Sequence, residues 1–577
     1  MMVSFADLKA NLKKDFSGLK CVRVAVASDS AMQHFTVALR ASGYEAGLDL
    51  IIHDTGYDQI ERSIFDPSSD LYQFDPQCII VFHWVEKLFE RFQRAPPAER
   101  SGFADAHLAG VRSLIEAAGR NSQSRIFYVN FPEFSDGVYG NYSSKLTSSW
   151  LFQIRKINFG LMALAREFPN LFINDLAALA TRHGALAMLD PKQAISANMA
   201  FALDFLPIFA TNTARIIAAI EGRTRKCLVL DLDNTLWGGV IGDDGLENIE
   251  IGGLGIGSAF TRVQLWAKQL KQRGIVLAVC SKNTESVALE PFQKHPDMVL
   301  RQEDIAVFVA NWENKVDNIR HIQSVLEIGL DAMVFVDDSP VERELVRNAL
   351  PEVLVPELPE DPAEFAETLQ RLELFETASI TEEDADRTLQ YQQEARRREL
   401  TTTFQGADDF LKSLEMVGTV EAFTPFNAPR VAQLTQRSNQ FNLRTVRYTE
   451  QDIRRIASSP EHRGFAFSLA DKFGSYGLIC VVILRFQEEE FFIDTWLMSC
   501  RVLKRGMEQF VLNRLVDAGR EAGFTALVGE YLPTGKNALV KDHYASLGFS
   551  AFLRNGAELW RLKFADFVPR PNHIKNS

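Results

Sequence analysis

Two aspartates, Asp231 and Asp233, stand one residue apart in CLVLDLDNTLWG, where an apolar run of strand character reaches its end. Side chains at i and i+2 of an extended segment share a face. Both carboxylates can therefore reach one reacting group beyond the carboxyl edge of a parallel sheet, where α/β proteins place their ligands. The group this arrangement suits is a phosphate ester, with one carboxylate attacking phosphorus and the other moving the proton. Such an attack brings anions together and calls for a cation held by hard oxygen ligands. Asp337 and Asp338, after the run AMVFV, supply such oxygens; Ser281, after IVLAVC, adds a hydroxyl, and Lys315 in NWENKVDN adds a positive charge. Singly, each of these is ordinarily a helix cap, a turn or a surface group. Their order along residues 231–338 is what points to chemistry.

The elements that must position these groups follow from the hydrophobic pattern. The chain has 577 residues, enough for three or four domains at roughly 150 residues each. Residues 1–222 alternate short β-branched runs, VRVAVA, LDLIIHD, CIIVFHW and RIFYVNF, with amphipathic stretches, which predicts a mostly parallel sheet covered by helices. The alternation starts afresh over 223–375 with KCLVL, IVLAV, AMVFV and VLV. Residues 376–419 read as a charged helical connector, opened by a cap at Thr381-Glu-Glu-Asp384. Over 420–577 the long runs GFAFSLAD, YGLICVVILRF and EFFIDTWLMS follow one another directly, which predicts antiparallel pairing, and Asn555-Gly556 marks a final hairpin. The fold class expected is thus a multidomain α/β chain with an α+β C-terminal domain. A net charge of -13 argues against a nucleic-acid partner, and no run is long enough to span a membrane. Six cysteines, scattered singly, suggest neither zinc nor a disulfide framework, so a reduced cytoplasmic enzyme is expected.

The ordered set DLDNT, strand-Ser, Lys and strand-DD resembles the four-part pattern of the haloacid dehalogenase (HAD) superfamily of phosphotransferases. LDLDNTLWGGVIGDDG, LAVCSKN, DMVLR, NWENKVDNI, VFVDDSPVERELVR and LTQRSNQFNL together resemble the FkbH-like family, in the HAD-IIIC phosphatase subgroup, densely over 225–565 and more loosely before it. The stretch GGLGIGSAF departs from the family pattern. The resemblance implies an SGNH-hydrolase-like doubly wound N-terminal sheet, a central HAD-like Rossmannoid domain and a GNAT-like C-terminal acyltransferase domain. It implies Asp231 as nucleophile and Asp233 as acid and base. Asn234, Thr235, Ser281, Lys282, Asn283 and Lys315 would surround the phosphoryl group. Mg2+ would be bound by Asp231, the backbone carbonyl of Asp233 and the Asp337–Asp338 pair, Asp338 foremost.

Members of that family take the three-carbon unit of 1,3-bisphosphoglycerate and load it as a glyceryl thioester on an acyl carrier protein for polyketide-type biosynthesis. Moving an acyl group to a thiol is attack at carbonyl carbon, which an aspartate pair does not perform. In WLMSCRVLKRGMEQF, Cys500 stands between strand and helix beside Arg501, Lys504 and Arg505, and cationic neighbours with a helix N-terminus lower a thiol pKa from about 8.5. SCRVL and RGME resemble the family's own residues. Arg501 opens a pyrophosphate-loop pattern in which Lys504 replaces a glycine, which suits a carrier's phosphopantetheine arm better than coenzyme A. His543 is a candidate base near Cys500. In the first domain Ser28 and Ser30 occupy the place of a hydrolase serine, but Asp190 has no histidine three residues on and His183 precedes it. A degenerate hydrolase fold used for docking is expected. The alternatives to glyceryl transfer are a Mg2+-dependent phosphomonoesterase acting on a sugar or acyl phosphate, and a non-catalytic docking scaffold for the carrier.

Overall fold

The structure, a computed structural model, describes residues 4–380, 393, 407–487, 489–499, 502–554 and 556–577. The chain divides into two compact units, Met1–Glu221 and Gly222–Ser577. The expected cap at Thr381–Asp384, most of the connector, Cys500, Arg501 and Asn555 lie outside the described residues.

The first unit is built on five parallel strands, β1 (Lys20–Ser28), β2 (Leu48–Tyr57), β3 (Cys78–Phe82), β4 (Arg125–Val129) and β5 (Leu171–Asn174), in the order β2-β1-β3-β4-β5. Every residue of β3 and β4 is buried. A parallel sheet covered on both faces demands such runs without polar alternation, which is why the sequence shows them.

The second unit holds two sheets. β6 (Cys227–Leu230), β7 (Val276–Ser281), β8 (Ile305–Ala310) and β9 (Met333–Val336) form a parallel sheet in the order β8-β7-β6-β9. Along β6, Cys227 and Val229 join one hydrophobic cluster and Leu228 and Leu230 join another, so the strand is sealed on both sides up to the residue before Asp231. The expected strand VLV makes only a single bridge, Leu354 beside Val334. The strand β8 completes the sheet.

The other sheet has eight strands: β10 (Val417–Ala422), β11 (His462–Asp471), β12 (Gly474–Gln487), β13 (Glu490–Met498), β14 (Ala526–Gly529), β15 (Ser550–Arg554), β16 (Ala557–Lys563) and β17 (Lys575–Asn576). β10 to β13 pair antiparallel in succession, while β13 and β14 run parallel, joined through the helix Met507–Glu521. Arg554 pairs with Ala557, and Gly556 just before β16 takes φ 81°.

The two sheets of this unit meet at the amino ends of the parallel strands. Lys226, just before β6, donates to the carbonyl of Arg437 at 3.1 Å; Arg437 donates to the carbonyl of Ser379 at 2.9 Å; Asp331, just before β9, pairs with Lys536. These contacts leave the carboxyl ends, where Asp231 stands, to the chemistry.

Candidate functional site

At the carboxyl edge the parallel sheet brings Asp231, Lys315, Asp337 and Asp338 together. Asp231 follows β6, and its N–H donates to the carbonyl of Val336 at 3.0 Å, which locks the register of the two acidic turns. Lys315 opens the helix Lys315–Leu326, capped by Asn314, and its ammonium reaches inward to Asp231 Oδ1 at 3.0 Å and Asp337 Oδ2 at 2.5 Å. All three side chains are nearly inaccessible: Asp231 is 6 %, Lys315 3 % and Asp337 0 % exposed.

Burial pushes the carboxyls of Asp231, Asp337 and Asp338 above their ordinary range. For Asp231 the Lys315 charge works against this, and for Asp337 the neighbouring Asp231 charge adds to it. Burial also opposes the Lys315 charge, but the two carboxylates outweigh it and hold the ammonium protonated. Asp231, Asp337 and Asp338 each offer a carboxylate oxygen, and these oxygens lie within 4.8 Å of one another. One ammonium against three crowded carboxylates leaves surplus negative charge on hard oxygens. That donor set fits a divalent cation such as Mg2+.

Asp233 faces a different environment. Its carboxylate accepts from Trp237 Nε1 at 2.9 Å, from the Ile241 N–H at 3.0 Å and from Asn283 Nδ2 at 2.8 Å, so three donors fix its direction. Trp237 is fully buried and packs edge-on against Phe292, so its N–H needs an internal acceptor. The sequence reading missed this role, though an indole four residues beyond an aspartate in a buried run is a legible signal.

Several residues expected around a phosphoryl group have other partners. Asn234 takes a left-handed conformation, φ 54°, and its side-chain oxygen accepts from the Gly239 N–H at 3.0 Å, so it shapes the turn. Thr235 is buried and accepts from the Asp338 N–H at 3.1 Å, tying the first acidic turn to the second. Lys282 is exposed and paired with Glu342 at 2.6 Å, and Asn283 orients Asp233. Ser281 remains at the centre: it ends β7, is 2 % exposed and hydrogen-bonds the Asp231 carboxylate.

Arg343 was not singled out from sequence, yet it holds the second acidic turn. It is 4 % exposed, and Nη1 donates to the carbonyls of Asp337 at 2.9 Å and Asp338 at 2.6 Å, while Nη2 pairs with Glu357 at 3.0 Å. Partners of this kind orient metal ligands, and losing them typically costs 10–100-fold in metal affinity. Replacing Arg343 by Ala should raise the Mg2+ concentration giving half-maximal phosphatase activity by roughly that factor, with Arg343→Lys intermediate. Magnesium titration of each variant's thermal stability provides the check independent of turnover.

His543 sits in the eight-stranded half, 7 % exposed, with ring centroids of Trp496 at 4.5 Å and Phe441 at 4.9 Å. Its Nε2 is buried without a hydrogen-bond partner among the described residues, and burial pushes its basicity down to about 3. This is the setting of a packed neutral ring. Between pH 6.5 and about 3 the unfolded chain binds a proton that the folded one excludes, so stability falls as pH falls through that window. His543→Leu should flatten the acid limb of a melting-temperature profile between pH 6.5 and 4 relative to the parent.

Among the described contacts, the hydrolase-like residues of the first unit pair with other groups. Ser28 and Ser30 face each other at 3.1 Å, both buried; Asp190 caps the helix Pro191–Ala197, accepting from the Lys192 and Gln193 N–H groups; and His183 ends the helix Leu176–His183 beside Phe205.

Comparison with known proteins adds the following. The family model described as FkbH, N-terminal domain, matches residues 23–218. The chain is 47% identical to the N-terminal part of the protein BF1531 from Bacteroides fragilis, a structure containing a phosphatase domain and complexed with Mg. That match covers 65% of this chain and 99% of that one, with a TM-score of 0.63. Far weaker likenesses link it to the ribosomal-protein-S18-alanine N-acetyltransferase from Escherichia coli (17% identity, 26% of this chain and 94% of that one, TM-score 0.20). Another is to the GNAT domain of S. lividans PAT (16% identity, 25% of this chain and 89% of that one, TM-score 0.21). No curated protein matches the chain. Among the described residues, no helix is long and apolar enough to cross a membrane.

Proposed function

We propose, from the premise that the chain belongs to the FkbH-like family with its HAD-type phosphatase fold, that it is a Mg2+-dependent phosphatase coupled to glyceryl transfer. The substrate in this reading is 1,3-bisphosphoglycerate and the acceptor an acyl carrier protein in polyketide-type biosynthesis. The observation that carries the phosphatase half is the buried Asp231–Lys315–Asp337 constellation beside Asp338.

Asp231 attacks phosphorus of the C3 phosphate, the bond from phosphorus to the C3 oxygen breaks, and that oxygen leaves with its electron pair and takes a proton from Asp233. Asp233 then deprotonates a water that attacks phosphorus, breaking the acyl-phosphate bond to Asp231 and releasing inorganic phosphate. Lys315 and Ser281 orient the Asp231 carboxylate, and Lys315 offsets repulsion between it and the incoming phosphate. Mg2+, which Asp231, Asp337 and Asp338 would hold, supplies further charge neutralisation when bound; the Mg in the Bacteroides relative supports this.

The acyl half belongs in this reading to Cys500. Its thiolate attacks C1, the bond from C1 to the phosphate oxygen breaks with phosphate leaving, and the thioester passes to the carrier's phosphopantetheine thiol, with Arg501 near the arm. We read the eight-stranded domain as GNAT-like and the first unit as an SGNH-like fold used for docking. A reduced, cytoplasmic setting agrees with the free thiols of Cys21, Cys78, Cys227, Cys280 and Cys480.

One incubation tests the whole reading: protein, 1,3-bisphosphoglycerate, Mg2+ and a carrier protein, with every intact species weighed. A glyceryl adduct on the enzyme that vanishes in Cys500→Ala, and a glyceryl-loaded carrier, are expected. Free phosphate with neither adduct nor loaded carrier would reduce the protein to a phosphomonoesterase.

A further inference from the structure

Four strands of the first unit bring ionisable groups to one edge of their sheet. In the order β2-β1-β3-β4-β5 the chain leaves β1 first to one side and then to the other. The crevice between the carboxyl ends of β1 and β3 is where such sheets bind ligands. Asp29 follows β1 and His83 follows β3. The two turns are joined there: the Asp29 N–H donates to the Phe82 carbonyl at 3.4 Å, and Asp29 Oδ1 accepts from the Trp84 N–H at 2.7 Å. The Asp29 carboxyl therefore lies one peptide unit from His83. Asp29 is 9 % exposed and His83 is half-buried.

The His83 ring is held from the other neighbour of β3. Tyr128, in β4, places its hydroxyl 2.9 Å from His83 Nδ1 and 3.2 Å from Nε2 of His107, on the helix Phe103–Asn121. A hydroxyl has one proton to give, so one histidine donates to Tyr128 and the other accepts from it. With Nδ1–H of His83 as the donor, its Nε2 carries the lone pair. Burial pushes the basicity of His83 down to about 4; the Arg91 charge adds to this and the Asp58 charge works against it. Burial pushes the Asp29 carboxyl up to about 6, against the Trp84 N–H and the Lys87 charge. Burial also holds His107 and Tyr128 neutral. Between about pH 4 and about 6 His83 is thus a neutral base while Asp29 is a carboxylic acid. Groups pushed apart in this way divide into base and acid.

We propose that Asp29 and His83 form a second acid–base site, in the first unit, that takes an uncharged α-hydroxycarbonyl compound and enolises it. Nε2 of His83 removes the proton from the carbon beside the carbonyl. The C–H electron pair becomes the carbon–carbon double bond, the carbonyl π pair moves to its oxygen, and that oxygen takes the proton of Asp29. The enediol returns to a carbonyl compound when the His83 imidazolium protonates either carbon and Asp29 recovers a proton from a hydroxyl. The pair sets the class: a carboxylic acid suits a carbonyl oxygen, and a neutral imidazole suits an acidified C–H. Lys87, whose charge acts on Asp29, is itself paired with Asp58 at 3.4 Å, which favours an uncharged substrate over an anion. Tyr128 and His107 act through His83 as positioning residues. The site stands independently of the phosphatase reading of Asp231.

The test incubates the full chain with dihydroxyacetone in deuterated buffers and follows deuterium uptake and glyceraldehyde by NMR. The wild type should show a rate maximum between about pH 4 and about 6, where base and acid are both in working form. His83→Gln and Asp29→Asn should each cost roughly 10^2- to 10^4-fold, the scale of general acid–base catalysis, and Asp29→Asn should also remove the alkaline limb. Tyr128→Phe should lower kcat with KM unchanged, a split that a collapsed site does not give. Exchange that survives undiminished in either His83→Gln or Asp29→Asn would overturn the site. So would wild-type exchange no faster than that of the double variant His83→Gln/Asp29→Asn. The wild-type profile depends on no variant folding: a single inflection near about 6.5, that of an ordinary histidine, with no fall at higher pH, would overturn it as well.

Discussion

Replacing Asp231 by Asn should abolish phosphate release, by on the order of 10^4-fold or more, the scale on which covalent nucleophiles are missed. The amide keeps the volume and a hydrogen-bonding oxygen for Lys315 and Ser281, so the turn should stay in place. What is lost is the nucleophile and one of the three carboxylates facing a cation. Folding should not suffer: the substitution relieves repulsion between Asp231 and Asp337 while Lys315 keeps Asp337 as its partner. A discontinuous phosphate assay and a melting curve on the same preparation decide the matter. Activity within tenfold of the parent would remove Asp231 from the role of nucleophile.

Replacing Lys315 by Met should produce the largest loss of stability. The ammonium is 3 % exposed and pairs with two carboxylates that are themselves buried. Removing the cation leaves two uncompensated anions side by side, and breaking a buried pair in this way costs about 3–5 kcal/mol. Burial has already raised both carboxyls, so the folded form binds more protons than the unfolded chain between the ordinary carboxylate range and the raised one. Stability then falls as pH rises through that window, and the deficit of Lys315→Met should be deeper at pH 7.5 than at pH 5. The double variant Asp231→Asn/Lys315→Met should be less destabilised than Lys315→Met alone, a coupling that only contact explains. Melting curves of the four proteins at the two pH values supply the comparison; additive effects would sever the link.

How much of this was legible beforehand differs by element. The runs that became β1, β3, β4, β6 and β9 are short, apolar and β-branched, because a parallel strand is buried on both faces and carries its own signature. IAVFVA, which forms β8, carries a weaker signal although its composition is the same: it lies at the sheet edge, where three of its six residues are only partly buried. VLV carries the apolar β-branched signal of a strand, but it adds a single bridge beside β9. Periodicity reports which residues avoid water and is silent on which neighbour they pair with.

The sequence by itself determined the chemical inventory: the spacing of Asp231 and Asp233, the acidic pair, the serine and the lysine, in an order that named the superfamily. Covalent order suffices there because strand periodicity dictates which carboxylates share a face. Only the tertiary structure decided what each group faces. It set Lys315 between Asp231 and Asp337, gave Asp233 to Trp237, Ile241 and Asn283, bound Thr235 to Asp338, and brought Arg343 under the carbonyls of the second acidic turn. The pairings of Lys315 with Asp231, Asn283 with Asp233 and Thr235 with Asp338 join segments far apart in the chain, and a hydrogen bond or a charge acts over a few ångströms of space, whatever the number of residues between.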